Sequence, residues 1–186
     1  MLFRSRVALD AGASTGGFTD VLLKRGATKV IAVDVGYGQL AWSLQQDPRV
    51  EIHDRTNVRL LSPDLISEPP AVIVADLSFI SLNLVLPALA SVAASDADFL
   101  LMVKPQFEVG RENLGAGGVV RDLKLRKSAV MNVAEAALKS GLHMVDVVAS
   151  PLPGPSGNVE YFLWLKFGLG EVDEAAIDRA ISAGPQ

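Results

Sequence analysis

The stretch Asp10-Ala11-Gly12-Ala13-Ser14-Thr15-Gly16-Gly17 decides the fold of this chain. It follows the short apolar run Val7–Leu9, and it precedes Phe18–Leu23, where apolar residues recur at helical spacing. Glycine lets the backbone turn sharply and lets a ligand approach at positions where a Cβ would block it. The helix that follows offers unpaired N–H groups at its N-terminus. The stretch therefore predicts a strand, a ligand-binding turn and a helix.

A second strand ends in a carboxylate. The apolar run Val30–Val33 leads into Asp34, about 20 residues after Gly12, where nucleotide-binding domains hold ribose hydroxyls. The glycines do not follow the dinucleotide pattern G-x-G-x-x-G, and Asp10 would repel a pyrophosphate. A carboxylate at that position suits the cationic amino-acid end of S-adenosylmethionine. The pattern therefore favours S-adenosylmethionine over NAD, with a purely structural turn as the remaining alternative.

Composition limits the possible classes of protein. With 186 residues, 49% of them hydrophobic, the chain is long enough for one compact domain, which we expect to span residues 1–186. It has no cysteine and two histidines, which argues against disulfides, thiolate sites and a histidine zinc site, so no metal is predicted. The net charge of −4 means that a nucleic-acid partner would need a local basic patch.

The chain also lacks the sequence signals of a membrane or secreted protein. No run of about 18 apolar residues is free of charge, and the N-terminus has no long apolar segment of the secretory type. A cytoplasmic location without membrane contact is therefore expected.

Strand and helix signals alternate along the chain. This alternation predicts a doubly wound α/β domain with helices on both faces of a mostly parallel sheet. The last two strands are joined by a Pro/Gly-rich loop without a helix, so they should form an antiparallel hairpin. Seven strands in this layout are typical of the Rossmann-like fold of class I methyltransferases. The predicted strands are Val7–Asp10, Val30–Val35, Val50–Asp54, Ala71–Leu77, Phe99–Lys104, Met144–Ser150 and Glu160–Phe167, and the predicted helices are Gly17–Arg25, Leu40–Gln46, Leu82–Ala94, Asp122–Ser140 and Val172–Ser182.

Charged residues stand at the carboxyl ends of five predicted strands, where ligands bind in open α/β sheets. Among them, Asp76 and Lys104 indicate either a structural ion pair or catalytic chemistry, and Glu160 lies on a strand that could pair beside Lys104. A lysine that acts as a base must first lose its proton, which a nearby cation or desolvation favours. The predicted cofactor-binding residues are Asp10, Gly12, Ser14, Thr15, Gly16, Gly17, Phe18, Asp34, Asp54 and Asp76.

Several motifs together resemble one family, the TlyA-type ribosomal RNA 2′-O-methyltransferases, often labelled haemolysin A, within the FtsJ-like group. The matching segments cover nearly the whole chain: Leu9–Thr19, Ala32–Leu40, Val74–Ser81, Val103–Glu108 and Ser150–Tyr161. The resemblance implies S-adenosylmethionine-dependent 2′-O-methylation of ribose in 16S or 23S ribosomal RNA. It also implies a catalytic Lys-Asp-Lys-Glu tetrad, whose last three members match Asp76, Lys104 and Glu160.

Two family features have no match here. The first lysine of the tetrad lies before the first strand, where this chain has Met1–Arg6 without a lysine. The small basic S4-like RNA-binding domain that precedes the catalytic domain is also not matched. The resemblance therefore implies a catalytic portion of a longer protein, with little turnover expected from this portion alone.

A basic cluster is the candidate RNA contact. Arg121, Lys124, Arg126 and Lys127 surround the start of a predicted helix, where bases run against the helix dipole. They are predicted to contact RNA phosphates, with an ordinary solvated helix face as the alternative. Other functions left open are a catalytically idle RNA- or ribosome-binding module, a membrane-active haemolysin and an NAD-dependent dehydrogenase.

Overall fold

The computed structural model describes residues 3–154 and 156–185, so that Met1, Leu2, Pro155 and Gln186 lie outside the described residues. Seven strands form a sheet in the order β3-β2-β1-β4-β5-β7-β6. They are β1 (Val7–Ala11), β2 (Lys29–Val33), β3 (Val50–His53), β4 (Val72–Ala75), β5 (Asp98–Val103), β6 (Leu142–Ala149) and β7 (Tyr161–Phe167).

Strand pairing confirms the predicted fold class. β1 pairs in parallel with β2 and β4, and β2 pairs in parallel with β3. β6 and β7 pair antiparallel, as the loop without a helix predicted. All four residues of β4 are buried, which explains why this strand is a continuous apolar run rather than an alternating one.

In the described part of the chain, six α-helices and several short 3₁₀ turns lie between and after the strands. The helices are α1 (Gly17–Lys24), α2 (Trp42–Gln45), α3 (Leu86–Val92), α4 (Pro105–Glu108), α5 (Leu123–Lys139) and α6 (Glu174–Ala183). The helix predicted over Leu82–Ala94 is interrupted: a 3₁₀ turn at Leu82–Leu84 precedes α3. The four-residue α4 was not predicted, because so short an element shows no helical periodicity. Among the described residues, no helix combines the length and apolarity needed to cross a membrane.

Contacts divide the chain into two units. The first unit runs to Leu77 and includes Pro87–Leu100, and its apolar core contains Leu22 of α1 and Val30 of β2. The second unit comprises Ser78–Leu86 and the described residues from Leu101 onward; in it α5 packs on α6 and on β6. A single domain over residues 1–186 stays a prediction.

Candidate active site

The glycine turn after β1 forms a cavity of about 350 Å³ in the first unit. At Gly12 the backbone has φ +86°, and a Cβ there would lie 2.5 Å from the carbonyl oxygen of Asp76. Glycine is therefore required for the turn to pass the end of β4. The volume lies within the range of small-molecule sites. The lining residues are Gly12, Ala13, Ser14, Thr15, Gly17, Phe18, Val21 and Asp76.

Gly16 has a packing role at the same turn. It precedes the first residue of α1 with φ +99°, and a Cβ would collide with the side chains of Leu40 and Leu44. Gly16 is thus buried against α2 and the residues before it, while Gly17 is exposed at the cavity. The two adjacent glycines serve different purposes, close packing and an open surface.

Asp34 ties this turn to the loop after β2. One carboxylate oxygen accepts from the backbone N–H of Ser14 at 2.8 Å, and the other accepts from that of Gly36 at 2.7 Å. Each oxygen keeps a lone pair that a ligand hydroxyl could use. Asp54 accepts from the backbone N–H of Gly38 at 2.9 Å, so it too holds this loop.

Asp10 is a buried carboxyl group with zero exposure. Its Oδ2 accepts from the Thr19 hydroxyl at 2.7 Å, whereas its Oδ1 has no hydrogen-bond partner in the described part of the chain. Burial raises the pKa of Asp10, the Thr19 hydrogen bonds lower it and the charges of Asp76 and Asp34 raise it, which together give a pKa of about 6. Asp76 lines the cavity, and Asp76 and Asp34 lie close enough to Asp10 for their charges to act on its carboxyl group, so the negative charge around the turn fits a ligand that carries positive charge.

Lys104 lies in a second cavity, of about 400 Å³, within the second unit. Its Nζ is 3.9 Å from Glu160 Oε1 and donates to the Ser78 hydroxyl at 3.4 Å. The side chains of Lys104 and Glu160 are only 12% and 8% exposed. The cavity is lined by Ser78, Phe79, Lys104, Gln106, Phe107, Leu114, Gly117, Gly118, Ser156, Asn158 and Glu160.

Glu160 does not lie within a strand, as the sequence predicted, but directly before β7. Its carbonyl oxygen accepts from the Ser150 N–H at 2.7 Å, which continues the pairing of β6 with β7 by one step. A Cβ at Gly154 would lie 2.7 Å from Glu160 Oε1, so this loop glycine leaves room for the carboxylate. The loop thereby places Glu160 beside Lys104.

Phe79 is a site residue that the sequence analysis missed. Its side chain is 92% exposed, although it lines the cavity of Lys104, and its backbone has φ +63°, which is rare for a residue with a Cβ. Its ring centroid lies 5.2 Å from that of Phe107. An exposed aromatic ring held in a strained backbone conformation at a cavity suits stacking on a planar ligand.

Glu108 anchors the loop that carries Phe79. Its two carboxylate oxygens accept from the Ser81 hydroxyl at 2.6 Å and from the Leu82 N–H at 2.9 Å. Ser81 Oγ in turn accepts from the Asn83 N–H, which caps the 3₁₀ turn. Burial raises the pKa of Glu108. The segment after Asp76 and the segment after Lys104 are thus joined by a hydrogen-bonded clamp and by the ring contact.

The basic cluster divides into exposed and engaged residues. Arg121 and Lys124 are exposed. Arg126 is only 5% exposed and donates to the carbonyl oxygens of Val120 and Pro185. The guanidinium of Arg126 is thus built into the second unit rather than displayed on a helix face, and its contact with an RNA phosphate stays a prediction.

Lys127 is also engaged within the second unit. Its Nζ lies 2.7 Å from a Glu174 oxygen and 2.6 Å from a Asp178 oxygen, both on α6. The two carboxylates offset its charge and join α5 to α6, so Lys127 is better described as an interhelical ion pair. No group of histidine, aspartate or glutamate residues able to hold a metal ion occurs among the described residues.

The strand order, the antiparallel end of the sheet and the glycine turn after β1 together form the fold of class I methyltransferases. Comparison with known families agrees, since the model of the FtsJ-like methyltransferases matches residues 1–167. The chain belongs to this FtsJ-like family.

Several named proteins are similar in sequence to this chain over most of its length. The 16S/23S rRNA (cytidine-2′-O)-methyltransferase TlyA of Mycobacterium tuberculosis is 59% identical over 97% of this chain and 69% of its own length. The Bacillus subtilis protein YqxC, provisionally named an rRNA methyltransferase, is 42% identical over 96% of this chain and 66% of its own length. A solved structure of a hemolysin-named protein from Streptococcus thermophilus has a TM-score of 0.93 at 38% identity, covering 98% of this chain and 67% of that one.

Proposed function

We propose that this chain transfers a methyl group from S-adenosylmethionine to a ribose 2′-hydroxyl of ribosomal RNA, in the 16S or the 23S molecule. The observation that carries the proposal is the Lys104–Glu160 pair, sheltered in a cavity with Phe79 exposed at its side. The mycobacterial relative, named for this reaction, supports the choice of substrate. Such a substrate would place the enzyme in the cytoplasm.

In this proposal the glycine turn of the first unit holds S-adenosylmethionine. The three acidic residues Asp10, Asp34 and Asp76 complement its positive charge, and Asp34 accepts from its ribose hydroxyls. The cavity presents Ser14, Thr15, Gly17 and Phe18 as the contact surface. Once bound, S-adenosylmethionine supplies a methyl group on a positively charged sulfur.

Lys104 acts as the base. An alcohol is a poor nucleophile until its proton leaves, and a lysine accepts that proton only in its neutral form. The 2′-oxygen would gain the methyl group as the sulfur–methyl bond breaks and the sulfur leaves as a neutral thioether, and the hydroxyl proton would pass to Lys104 Nζ. Glu160, 3.9 Å away, and the Ser78 hydroxyl, 3.4 Å away, hold the amine in place. Asp76 completes the catalytic set that the family resemblance implies.

The RNA side of the site uses Phe79 and exposed basic residues. Single-stranded bases stack on aromatic rings, and a ring that is 92% exposed can accept one without rearrangement. Arg121 and Lys124 contribute the positive charge that phosphates require. Ribosomal subunits are therefore the proposed partners.

The decisive experiment measures methyl transfer from isotopically labelled S-adenosylmethionine to isolated ribosomal subunits. The chain is compared with a version preceded by the N-terminal segment of the mycobacterial relative. The extended version should methylate a ribose 2′-oxygen, and the rate of the chain alone is measured beside it. If neither protein transfers a methyl group to either subunit, the proposed reaction is wrong.

A catalytically idle RNA-binding module is the second candidate, since the exposed Phe79, Arg121 and Lys124 could bind RNA without any methyl transfer. Calorimetry separates the two, because an idle module has no need for a methyl donor. Micromolar binding of S-adenosylmethionine, in preference to NAD, supports the methyltransferase. If the chain binds RNA but does not bind S-adenosylmethionine, the result supports the idle module.

A further inference from the structure

A third cavity, of about 230 Å³, lies in the second unit and is lined by two arginines. Its walls are Val119, Arg121, Arg126, Ser156 and Gly157. Ser156 lines this cavity and also the cavity of Lys104, so the two are neighbours. We call the third cavity the arginine cavity.

Among the described residues, no carboxylate side chain neutralises the positive charge of the arginine cavity. No carboxylate of the described residues lies within salt-bridge distance of Arg121 or Arg126. Arg126, 5% exposed, donates to two backbone carbonyl oxygens, at 2.8 Å for Val120 and 3.3 Å for Pro185. These bonds orient the guanidinium but supply no opposite charge. A buried charge without a counter-charge is costly, so an anion in this cavity would stabilise it.

The walls of the arginine cavity are fixed before any ligand arrives. Asn158 is 2% exposed; its side-chain oxygen accepts from the Val120 N–H, and its side-chain nitrogen donates to the Gly118 carbonyl oxygen. These two bonds join the segment before α5 to the loop before β7. The arginine-bearing wall and the wall with Ser156 and Gly157 are therefore held together, which lowers the entropy lost on binding.

We propose that the arginine cavity binds a phosphodiester group of the RNA strand, adjacent to the nucleotide whose ribose enters the cavity of Lys104. The inference rests on the proposed function and deepens it. Two planar guanidinium groups match the oxygens of a phosphate, and the Ser156 hydroxyl offers a further donor. A phosphate beside the reacting ribose would fix which 2′-hydroxyl reaches Lys104.

The test compares Arg121→Ala with Lys139→Ala, which removes the same charge. Lys139 is exposed at the far end of α5, about 24 Å along the helix from Leu123. The probe is a short single-stranded RNA oligonucleotide, and its affinity is measured at several salt concentrations. Arg121→Ala should lower affinity about tenfold and reduce the salt slope by about 0.7, the value expected for one phosphate contact on a single strand. Lys139→Ala should change neither.

Two further variants sharpen the result. Arg121→Lys keeps the charge but not the planar fork, so it should restore the salt slope while recovering only part of the affinity. Arg126→Lys should behave alike, and its thermal unfolding is compared with the wild type because Arg126 is buried. In each variant the affinity for S-adenosylmethionine should stay unchanged.

The outcomes separate the two proposals. If Arg121→Ala binds RNA with the affinity and salt slope of Lys139→Ala, the phosphate site is wrong, whether or not methyl transfer is observed. If Arg121→Ala shows the expected losses but the extended wild-type protein transfers no methyl group, the phosphate site stands and the proposed reaction falls. If the extended wild-type protein does not bind the oligonucleotide, the phosphate site is wrong, whereas methyl transfer to ribosomal subunits by that protein would still support the proposed reaction.

Discussion

The glycine turn of the first unit differs in construction from the cavity of Lys104 in the second unit, which we call the lysine cavity: backbone forms the first, and side chains form the second. The glycine turn is one continuous stretch, Gly12–Phe18, whose shape depends on backbone angles and on backbone N–H groups held by Asp34. The lysine cavity gathers side chains from segments far apart in the sequence, from Ser78 to Glu160. The glycine turn is suited to a small ligand of constant shape, whereas the lysine cavity is suited to a reacting group that belongs to a large substrate.

The largest effect should come from the lysine cavity. Lys104→Ala, in the extended protein, should lower methyl transfer by about 10²- to 10⁴-fold, because base catalysis typically contributes that much. Calorimetric binding of S-adenosylmethionine should stay unchanged, since that ligand is assigned to the glycine turn. Methyl transfer at the wild-type rate by Lys104→Ala would show that Lys104 is not the base.

The next effect belongs to the glycine turn. Asp34→Ala should weaken S-adenosylmethionine binding about tenfold to a hundredfold, the equivalent of one charged hydrogen bond. Part of that loss would come from the Ser14 and Gly36 N–H groups, which lose their acceptor. Asp34→Asn is the matched control, because its amide oxygen keeps one acceptor. Equal affinity in wild type and Asp34→Ala would remove Asp34 from the cofactor site.

Phe79 tests whether the lysine cavity reads RNA by stacking. Phe79→Ala should raise the KM for ribosomal subunits or lower turnover by about tenfold, since base stacking contributes about 1–3 kcal/mol. Phe79→Trp keeps a planar ring and should retain most activity. If Phe79→Leu were as active as Phe79→Trp, the ring would serve only as apolar surface.

The smallest effect is a pH dependence confined to the glycine turn. With the pKa of Asp10 near 6, its carboxyl group is mostly ionised at pH 7 and mostly neutral at pH 5. A cationic ligand prefers the ionised form, so S-adenosylmethionine affinity should fall about tenfold from pH 7 to pH 5. Asp10→Asn should bind weakly and without this pH dependence. RNA binding should not follow the same curve, which separates the two regions.

The same carboxyl group also affects stability. Its pKa rises on folding, from 3.8 to about 6, so the folded chain holds its proton more tightly than the unfolded chain does. The protonated Asp10 carboxyl group therefore adds to the free energy of unfolding; this contribution is fully present below about pH 4 and is lost as the pH rises through about 6. Asp10→Asn, which stays neutral, should therefore be more stable than the wild type at pH 7, by about 3 kcal/mol at most. Chemical denaturation at pH 4 and pH 7 measures the difference.

The fold was readable from the sequence because its strands are continuous apolar runs. Val30–Val35 was predicted as a strand, and β2 spans Lys29–Val33. The glycine turn was readable for a related reason, since its ligand-facing residues are adjacent in sequence and its backbone requirement selects glycine. Continuous signals of this kind do not depend on knowing the tertiary structure.

The lysine cavity was readable only in part. Lys104 and Glu160 were named from strand ends and from family resemblance, but Phe79 was missed because a lone loop aromatic shows no periodicity. Glu108 was missed because its partners, Ser81 and Leu82, lie more than 20 residues away. Such contacts emerge only when the chain has folded.

The burial of Arg126 could be predicted from the helical periodicity of α5. Arg126 shares one face of α5 with the buried residues Ala129, Val130 and Val133, at the i+3, i+4 and i+7 positions. A basic residue on that stripe is predicted to point inward. The neighbouring positive charges of Arg121, Lys124 and Lys127 instead favoured the prediction of an exposed basic face.

The left-handed backbone at Phe79 has an evolutionary consequence. A residue with a Cβ at φ +63° costs on the order of 1 kcal/mol relative to glycine, which adopts this conformation freely. A library of variants selected only for heat resistance should therefore accumulate glycine or asparagine at position 79, and the selected proteins should lose activity on RNA. Selection for activity should retain phenylalanine, and selection for heat resistance should replace it. That result would reveal a trade-off between stability and activity at this one position.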